Sequence, residues 1–308
     1  MTDHDRLAAH FAAGPGHAEG STTVAGLLGE LAMLLDAGGI PDPGREARDI
    51  IAALRDAPRF WTTVNGHTVM SGAEREQARA AAVRRARGAP FAYAVRSAAF
   101  RRLTLAVDER VLIPRPETEM LVDIVLELMK GRPGGMAIDV GTGSGAIALA
   151  LAVEGAFDRV LGGDISADAI DVARENALRL SPEAQARLEF RCGSAFAPFH
   201  GERAAVVVSN PPYIADGEAT ALPPGIRDWE PAVALFGGPD GMTTIRHIIR
   251  DARIVLEPGG WLALEVDSRR ASWAVEALSA YDCYVEISVR FDLTGRERFV
   301  LARLRETK

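Results

Sequence analysis

Residues 135–155, GMAIDVGTGSGAIALALAVEG, decide how this chain folds. The apolar run Met136–Ile138 reads as a short β-strand, glycines follow at 141, 143 and 145, and an apolar helix starts at once. Glycine permits tight, left-handed turns and lets a ligand approach the main chain. The helix start adds free N–H groups and a positive dipole end, suited to a carboxylate or phosphate. Asp164 closes the next strand about 20 residues on, where an acid accepts from both ribose hydroxyls. Strand, glycine loop, helix and acid together point to an adenosine-containing ligand. Because Ala146 follows Gly145, the loop also satisfies the looser pattern G-x-G-x-x-G/A, so NAD stays open on this stretch alone.

Outward from that loop, strands and helices alternate. GMAIDV, RVLGGDI, LEFRCG and AAVVVSN are short β-runs, separated mainly by helix-like segments such as ADAIDVARENALRL. GGWLALEV follows a helix around TTIRHIIRDARIVL, and CYVEISVRFD and ERFVLARL close the chain with no helix between them. Alternation of this kind predicts an α/β domain with a mostly parallel, doubly wound sheet, an antiparallel end and a ligand crevice at the strand C-termini. Upstream, residues 22–89 predict a small all-α domain. One helix stops at Gly38-Gly39, Pro43 opens a second at a first-turn position, and Ser71 caps a third whose arginines gather at its C-terminal end. FAYAVRSAAF and RLTLAVDERVLI predict two strands, a hairpin linker over residues 90–113, and the sheet domain occupies 114–308.

At 308 residues, 48% hydrophobic and 25% charged, the totals fit a two-domain globular protein. A net charge of -7 argues against sequence-blind nucleic-acid binding, which needs a basic face. Arg84, Arg85, Arg87, Arg101 and Arg102 form the one conspicuous basic cluster, either a solvated helix end or a docking surface for an acidic protein. Cys192 and Cys283 are too few for a disulfide framework or a cysteine zinc site and are expected to be buried small residues. The six histidines show no metal-ligand spacing, so no metal is expected. No segment approaches the roughly 18 apolar residues of a membrane span. The first 21 residues carry early acids and no apolar core of a signal peptide; a disordered tail and a cytoplasmic location are expected.

The fourth strand ends unusually, in VVVSNPPYIADG at 206–217. Asn210 precedes a proline and is pushed to an extended conformation. Pro211 and Pro212 fix their own φ and lack N–H donors. The result is a stiff corner rich in carbonyl acceptors, at the strand end where the crevice lies. The Asn210 side-chain oxygen and the Pro211 carbonyl are placed to accept from one incoming NH2 group, and Tyr213 offers a flat face. An amide or aromatic amine has its lone pair tied up in conjugation; gripping both N–H bonds orients the nitrogen and frees the pair for attack. The expected electrophile is a sulfonium methyl, which needs no metal.

These stretches resemble a known family. D-V-G-T-G-S-G, an acid after the next strand and S-N-P-P-Y-I resemble class I S-adenosylmethionine-dependent methyltransferases that act on planar nitrogen. Val111-Leu-Ile-Pro-Arg-Pro-Glu-Thr-Glu119, Arg227-Asp-Trp-Glu-Pro231, Gly238-Pro-Asp-Gly241 and Pro258-Gly-Gly-Trp261 resemble the protein-(glutamine-N5) methyltransferases of the HemK/PrmC type. The resemblance implies a Rossmann-like, seven-stranded class I methyltransferase domain. It implies S-adenosyl-L-methionine as methyl donor and a protein glutamine as acceptor, in the main branch the Gly-Gly-Gln loop of peptide chain release factors. Gly141, Thr142, Gly143, Ser144 and Gly145 would line the cofactor, Asp164 would hold its ribose, and Ser194 and Ala195 would border its adenine. Asn210, Pro211, Pro212 and Tyr213 would hold the glutamine, with Asn210 touching the cofactor as well. The R-P-E-T stretch from Arg115 through Glu117 to Thr118 would close over the same pocket; apart from the resemblance, the Asp-Gly pair at 216–217 and the loop through 228 read as a mobile flap.

The chain departs from the family pattern at Ser194, Ala195 and Arg96, where an acid, a large residue and a glycine are usual, and at Asp267, which ends the E-[IV]-G pattern. A sister branch methylates a glutamine of ribosomal protein L3 by the same chemistry; R-D-W-E-P leans toward the release-factor branch. DNA-adenine and RNA-guanine amino methyltransferases share the N-P-P-Y corner but need a basic surface and an exposed base. No direct nucleic-acid partner is expected.

Overall fold

The computed structural model describes residues 22–132 and 134–306. The tail expected over residues 1–21 lies outside them. The chain divides between Arg87 and Gly88 into two compact units.

The first unit is built on helices α1 (Val24–Ala37), α2 (Pro43–Leu54) and α3 (Gly72–Ala86). Leu27, Leu31 and Leu35, one per turn of α1, are buried with Ile50 and Ile51 of α2 and Ala78, Ala81 and Ala82 of α3. Thr23 caps α1 through the Gly26 N–H, and Ser71 and Glu74 form a reciprocal capping box on α3. Gly38 ends α1 against Ala86, where a Cβ would come within 2.6 Å of the Ala86 Cα. No other residue fits that approach.

The second unit corrects one expectation at its start. FAYAV is not a strand; Phe91–Val95 form a short helix, and only Ser97–Phe100 pair with Leu103–Ala106 as an antiparallel hairpin. Pro90 supplies the fixed φ that opens the turn and its carbonyl accepts from the Ala94 N–H at 2.9 Å. Tyr93, buried, donates its hydroxyl to the Val111 carbonyl at 2.5 Å. Burial of one helical face overrides the strand preference of the aromatic run. Arg96 ends the helix in the left-handed region, φ 57°, which accounts for the glycine expected there.

Seven strands form the main sheet: β1 (Met136–Val140), β2 (Arg159–Asp164), β3 (Leu188–Cys192), β4 (Ala204–Ser209), β5 (Leu256–Glu265), β6 (Tyr284–Phe291) and β7 (Glu297–Leu304). Their order across the sheet is β3-β2-β1-β4-β5-β7-β6, with β7 antiparallel to both neighbours and the remaining pairs parallel. This is the doubly wound sheet with an antiparallel end that the sequence implies. Alternate strand residues feed opposite faces. Val206 and Val208 join a core with α4 (Pro116–Leu128), α5 (Ala146–Glu154) and α6 (Ala167–Ala177), while Val207 joins one with α7 (Thr243–Val255) and α8 (Ala271–Ser279). Strand order reverses between β1 and β4, and a crevice opens at the carboxyl ends beside such a switch point.

Cys192 is exposed, not buried: it closes the edge strand β3 on the outward face. Arg101, from the basic cluster, is engaged within the fold. Its guanidinium is tied to Glu154 and Asp123, and its backbone N–H donates to Glu119, fixing the hairpin turn on α4 and α5.

Candidate active site

The register of the sheet assembles the site. Asp139 pairs with Val208 across β1 and β4, so the glycine loop and Asn210 leave the sheet side by side. Ser209 pairs with Leu264 across β4 and β5, which sets Asn210 beside Glu265 in turn. The Ser209 hydroxyl donates to the Val140 carbonyl at 2.6 Å and stitches two of the strand ends together.

Within the loop the three glycines have different reasons. Gly141 and Gly143 have φ of 76° and 54°, and a Cβ on either would enter open space facing the crevice. Gly145 instead has Leu149 and Ala173 within 3.2 Å of where a Cβ would sit, so it is needed for helix packing. Thr142 is turned inward: its hydroxyl donates to Asp139 Oδ2 at 2.6 Å, and Asp139 also accepts from the Ala148 N–H at 3.2 Å. Asp139 thereby ties the loop to the first turn of α5. Full burial pushes its carboxyl up to about 7, and its Oδ1 finds no hydrogen-bond partner among the described residues. Asp164 Oδ2 accepts from the Gly143 N–H and Oδ1 from the Ser166 N–H, both at 2.9 Å. Each oxygen keeps a lone pair for a ligand. Burial raises the Asp164 carboxyl above its ordinary value.

A cavity of about 300 Å³ lies over this floor, at the lower end of ligand-site volumes. Gly141, Gly143, Asp164, Ser194, Ala195 and Asn210 line it, and Pro211 and Pro212 border it as well. A smaller cavity of about 150 Å³, lined by Arg115 and Tyr213 among others, shares Asn210 and Pro211 with the first. The two cavities meet at the corner that two prolines make rigid. Of the remaining expected residues, Thr142, Ser144, Gly145 and Glu117 line neither cavity; the first three sit buried beneath the floor.

Arg115 lines the smaller cavity with its guanidinium held by an ion pair. Its Nη2 donates to Glu230 Oε1 at 2.6 Å, and the Glu230 carboxylate, almost wholly enclosed, also accepts from the Ile113 N–H at 3.2 Å. The pair ties the segment before α4 to the R-D-W-E-P stretch. The start of the expected flap is likewise tied: Glu218 accepts from Arg270 at 2.8 Å, from Arg269 at 2.6 Å and from the Ala215 N–H at 3.0 Å.

Two contacts around Asn210 escaped the sequence. Asn210 Nδ2 donates to the Thr118 hydroxyl oxygen at 3.0 Å, and that hydroxyl donates to Glu265 Oε2 at 2.7 Å. With Nδ2 spent on Thr118, the Asn210 Oδ1 has no hydrogen-bond donor among the described residues and is left able to accept. Burial pushes Glu265 up to about 7 and the nearby Tyr213 hydroxyl up to about 12.

Comparison with known proteins places these features in company. Residues 27–95 match the PrmC N-terminal domain and residues 118–222 the methyltransferase small domain. A "Release factor glutamine methyltransferase" of Moorella thermoacetica is 38% identical over 281 residues, covering 91% of this chain and 98% of that protein. One of the same name from Mycolicibacterium smegmatis is 41% identical over 218 residues, covering 71% and 76%. Among solved structures, the hMettl16 catalytic domain in complex with the MAT2A 3'UTR hairpin 6 aligns with a TM-score of 0.55 at 13% identity, covering 84% of this chain and 93% of that one. At that identity the last likeness speaks for the fold alone.

Proposed function

The chain belongs to the release factor glutamine methyltransferase family, and from that membership and the geometry of its site we propose that it transfers a methyl group from S-adenosyl-L-methionine to the side-chain amide nitrogen of a glutamine in a peptide chain release factor. The observation that carries this reading is the meeting of two cavities at Asn210 and Pro211. One has the furniture for an adenosine ligand; the other is small and walled by an aromatic ring.

The residues of the larger cavity fit that cofactor. Gly141 and Gly143 leave open the space that two Cβ atoms would fill. Asp164, held by two backbone N–H groups, presents its remaining lone pairs to ribose hydroxyls. Ser194 and Ala195 form the adenine side. When bound, the cofactor supplies an electrophilic methyl carbon on a positively charged sulfur.

In the smaller cavity the glutamine amide donates one N–H to Asn210 Oδ1 and the other to the Pro211 carbonyl. Pro211 and Pro212 have no N–H to repel it, and their fixed φ keeps the acceptors from relaxing away. Tyr213 packs on the amide plane. The two carbonyl dipoles orient the nitrogen lone pair toward the methyl and oppose the positive charge that grows on nitrogen as the new bond forms. The nitrogen then sheds one proton to water and remains a neutral N-methyl amide. Arg115 acts by holding Glu230 and the wall between the cavities. The helical unit is assigned recognition of the release factor, and a cytoplasmic site of action follows from that substrate.

The test offers labelled S-adenosylmethionine with a release factor, ribosomal protein L3 or duplex DNA, in separate reactions. Label on the release factor is expected. Label on L3 alone moves the chain to the sister branch, and label on DNA alone refutes the proposal.

A further inference from the structure

The proposed reaction needs the Asn210 oxygen, not its NH2, to face the substrate nitrogen, and an amide side chain is nearly symmetric in shape. Something must choose between its two orientations. The hydrogen-bond chain Glu265–Thr118–Asn210 contains that choice. An ionised carboxylate has no proton to give, so the Thr118 hydroxyl must donate to Glu265. Its oxygen is then left to accept, and only the Nδ2 side of Asn210 can donate to it.

We infer that Thr118 and Glu265 are positioning residues for the transfer: the carboxylate fixes the direction of the Thr118 hydroxyl, and the hydroxyl fixes the Asn210 amide with Oδ1 toward the substrate. The inference rests on the glutamine-amide reaction proposed above.

The surroundings support a pair built for orientation. Thr118 and Glu265 are both buried, Thr118 in the first turn of α4 and Glu265 at the end of β5. Charged or titratable groups act on this assembly from several elements, among them Asp267 just beyond the end of β5, which acts on Tyr213. Arg115 and Glu117 come from the start of α4, Arg298 from β7, and Tyr213 follows β4. The two arginines favour the ionised carboxylate, while burial first and Glu117 second oppose it, and its proton leaves at about 7. Below that pH a protonated Glu265 can donate to Thr118. The hydroxyl is then free to donate to Asn210 Oδ1, and the flipped amide presents an NH2 to an incoming NH2. Transfer is therefore expected to fall as pH drops through about 7, without loss of the folded state.

The experiment measures kcat, and KM for S-adenosylmethionine, with an intact release factor between pH 5.5 and 8.5. Wild type is expected to show an acid limb with a midpoint near 7. Thr118→Val is expected to lower kcat by about tenfold or more with cofactor KM changed less than about threefold, and Thr118→Ser to restore it to within about threefold. Glu265→Gln cannot titrate, and its amide can either donate or accept. It is expected to lower the plateau and abolish the acid limb. Circular dichroism and cofactor binding establish that each variant is folded. A Thr118→Val rate within twofold of wild type, or an acid limb that survives in Glu265→Gln, overturns the inference while leaving the activity in place. A wild-type protein that methylates no release factor overturns both.

Discussion

Replacing Arg115 by alanine separates two roles for that side chain. If it serves to hold Glu230, the cost falls on stability; if it touches substrate, on transfer. Glu230 has 1% of its side chain exposed, and its donors are Arg115 Nη2 at 2.6 Å and the Ile113 N–H at 3.2 Å. Removing one partner of a buried pair costs about 3–5 kcal/mol, because a charge is left uncompensated. Here Arg115 is itself 28% exposed, so water can enter the vacated place, and the Ile113 N–H remains. The expected loss is at the low end, about 3 kcal/mol, against a total of about 5–15 kcal/mol for a folded chain. The double variant Arg115→Ala/Glu230→Gln removes the orphaned charge and is expected to regain about 1–2 kcal/mol of that loss. Urea unfolding of the wild type and these two variants reads both numbers, and transfer assays under conditions where all are folded read the activity. An Arg115→Ala variant within about 0.5 kcal/mol of wild type, yet with kcat/KM for the release factor collapsed, would refute the structural role and return Arg115 to the substrate.

Three further outcomes follow from the same geometry. Asn210→Ala deletes one of the two acceptors and is expected to lower kcat by about 100- to 1,000-fold, with cofactor affinity, measured by calorimetry, within a few-fold; a near wild-type rate sinks the two-acceptor mechanism. Arg96→Gly relieves a left-handed arginine and is expected to stabilise the protein by up to about 1 kcal/mol in a thermal melt, whereas a destabilised variant would mean the exposed side chain matters. Asp139 keeps its proton to about 7 in the folded state and releases it at about 4 when unfolded. Between those values the native state binds more protons, so this group's contribution to stability falls as pH rises from about 4 to about 7, by roughly 1.4 kcal/mol per pH unit at most. Asp139→Asn is expected to flatten that part of the slope; parallel pH–stability curves for the two proteins would contradict it.

Much of this was legible in the chain because the informative residues are neighbours in sequence. The sheet strands announce themselves as β-branched and apolar runs between glycine, proline and helix-forming segments. The glycine loop and the Asn210–Tyr213 corner are contiguous, so their chemistry can be read from one short stretch each. What was missed is non-local. Thr118 meets Glu265 across 147 residues and Arg115 meets Glu230 across 115, and no spacing rule links such partners. Thr142 was expected at the ligand because it stands between two glycines that do face the crevice; backbone direction alone turns its hydroxyl to Asp139. FAYAV failed for another reason: five apolar residues carry no period long enough to tell strand from helix, and Pro90 and the Tyr93 contact decide it.

The measurement that bears most directly on the account is fragment mass spectrometry of a release factor after incubation with this protein and S-adenosylmethionine. The account predicts one added methyl group, located on the side-chain amide of the glutamine in the Gly-Gly-Gln loop, and none with the Asn210→Ala variant under the same conditions. A methyl group found on another residue, or an unmodified release factor beside a cofactor-loaded enzyme, would contradict it.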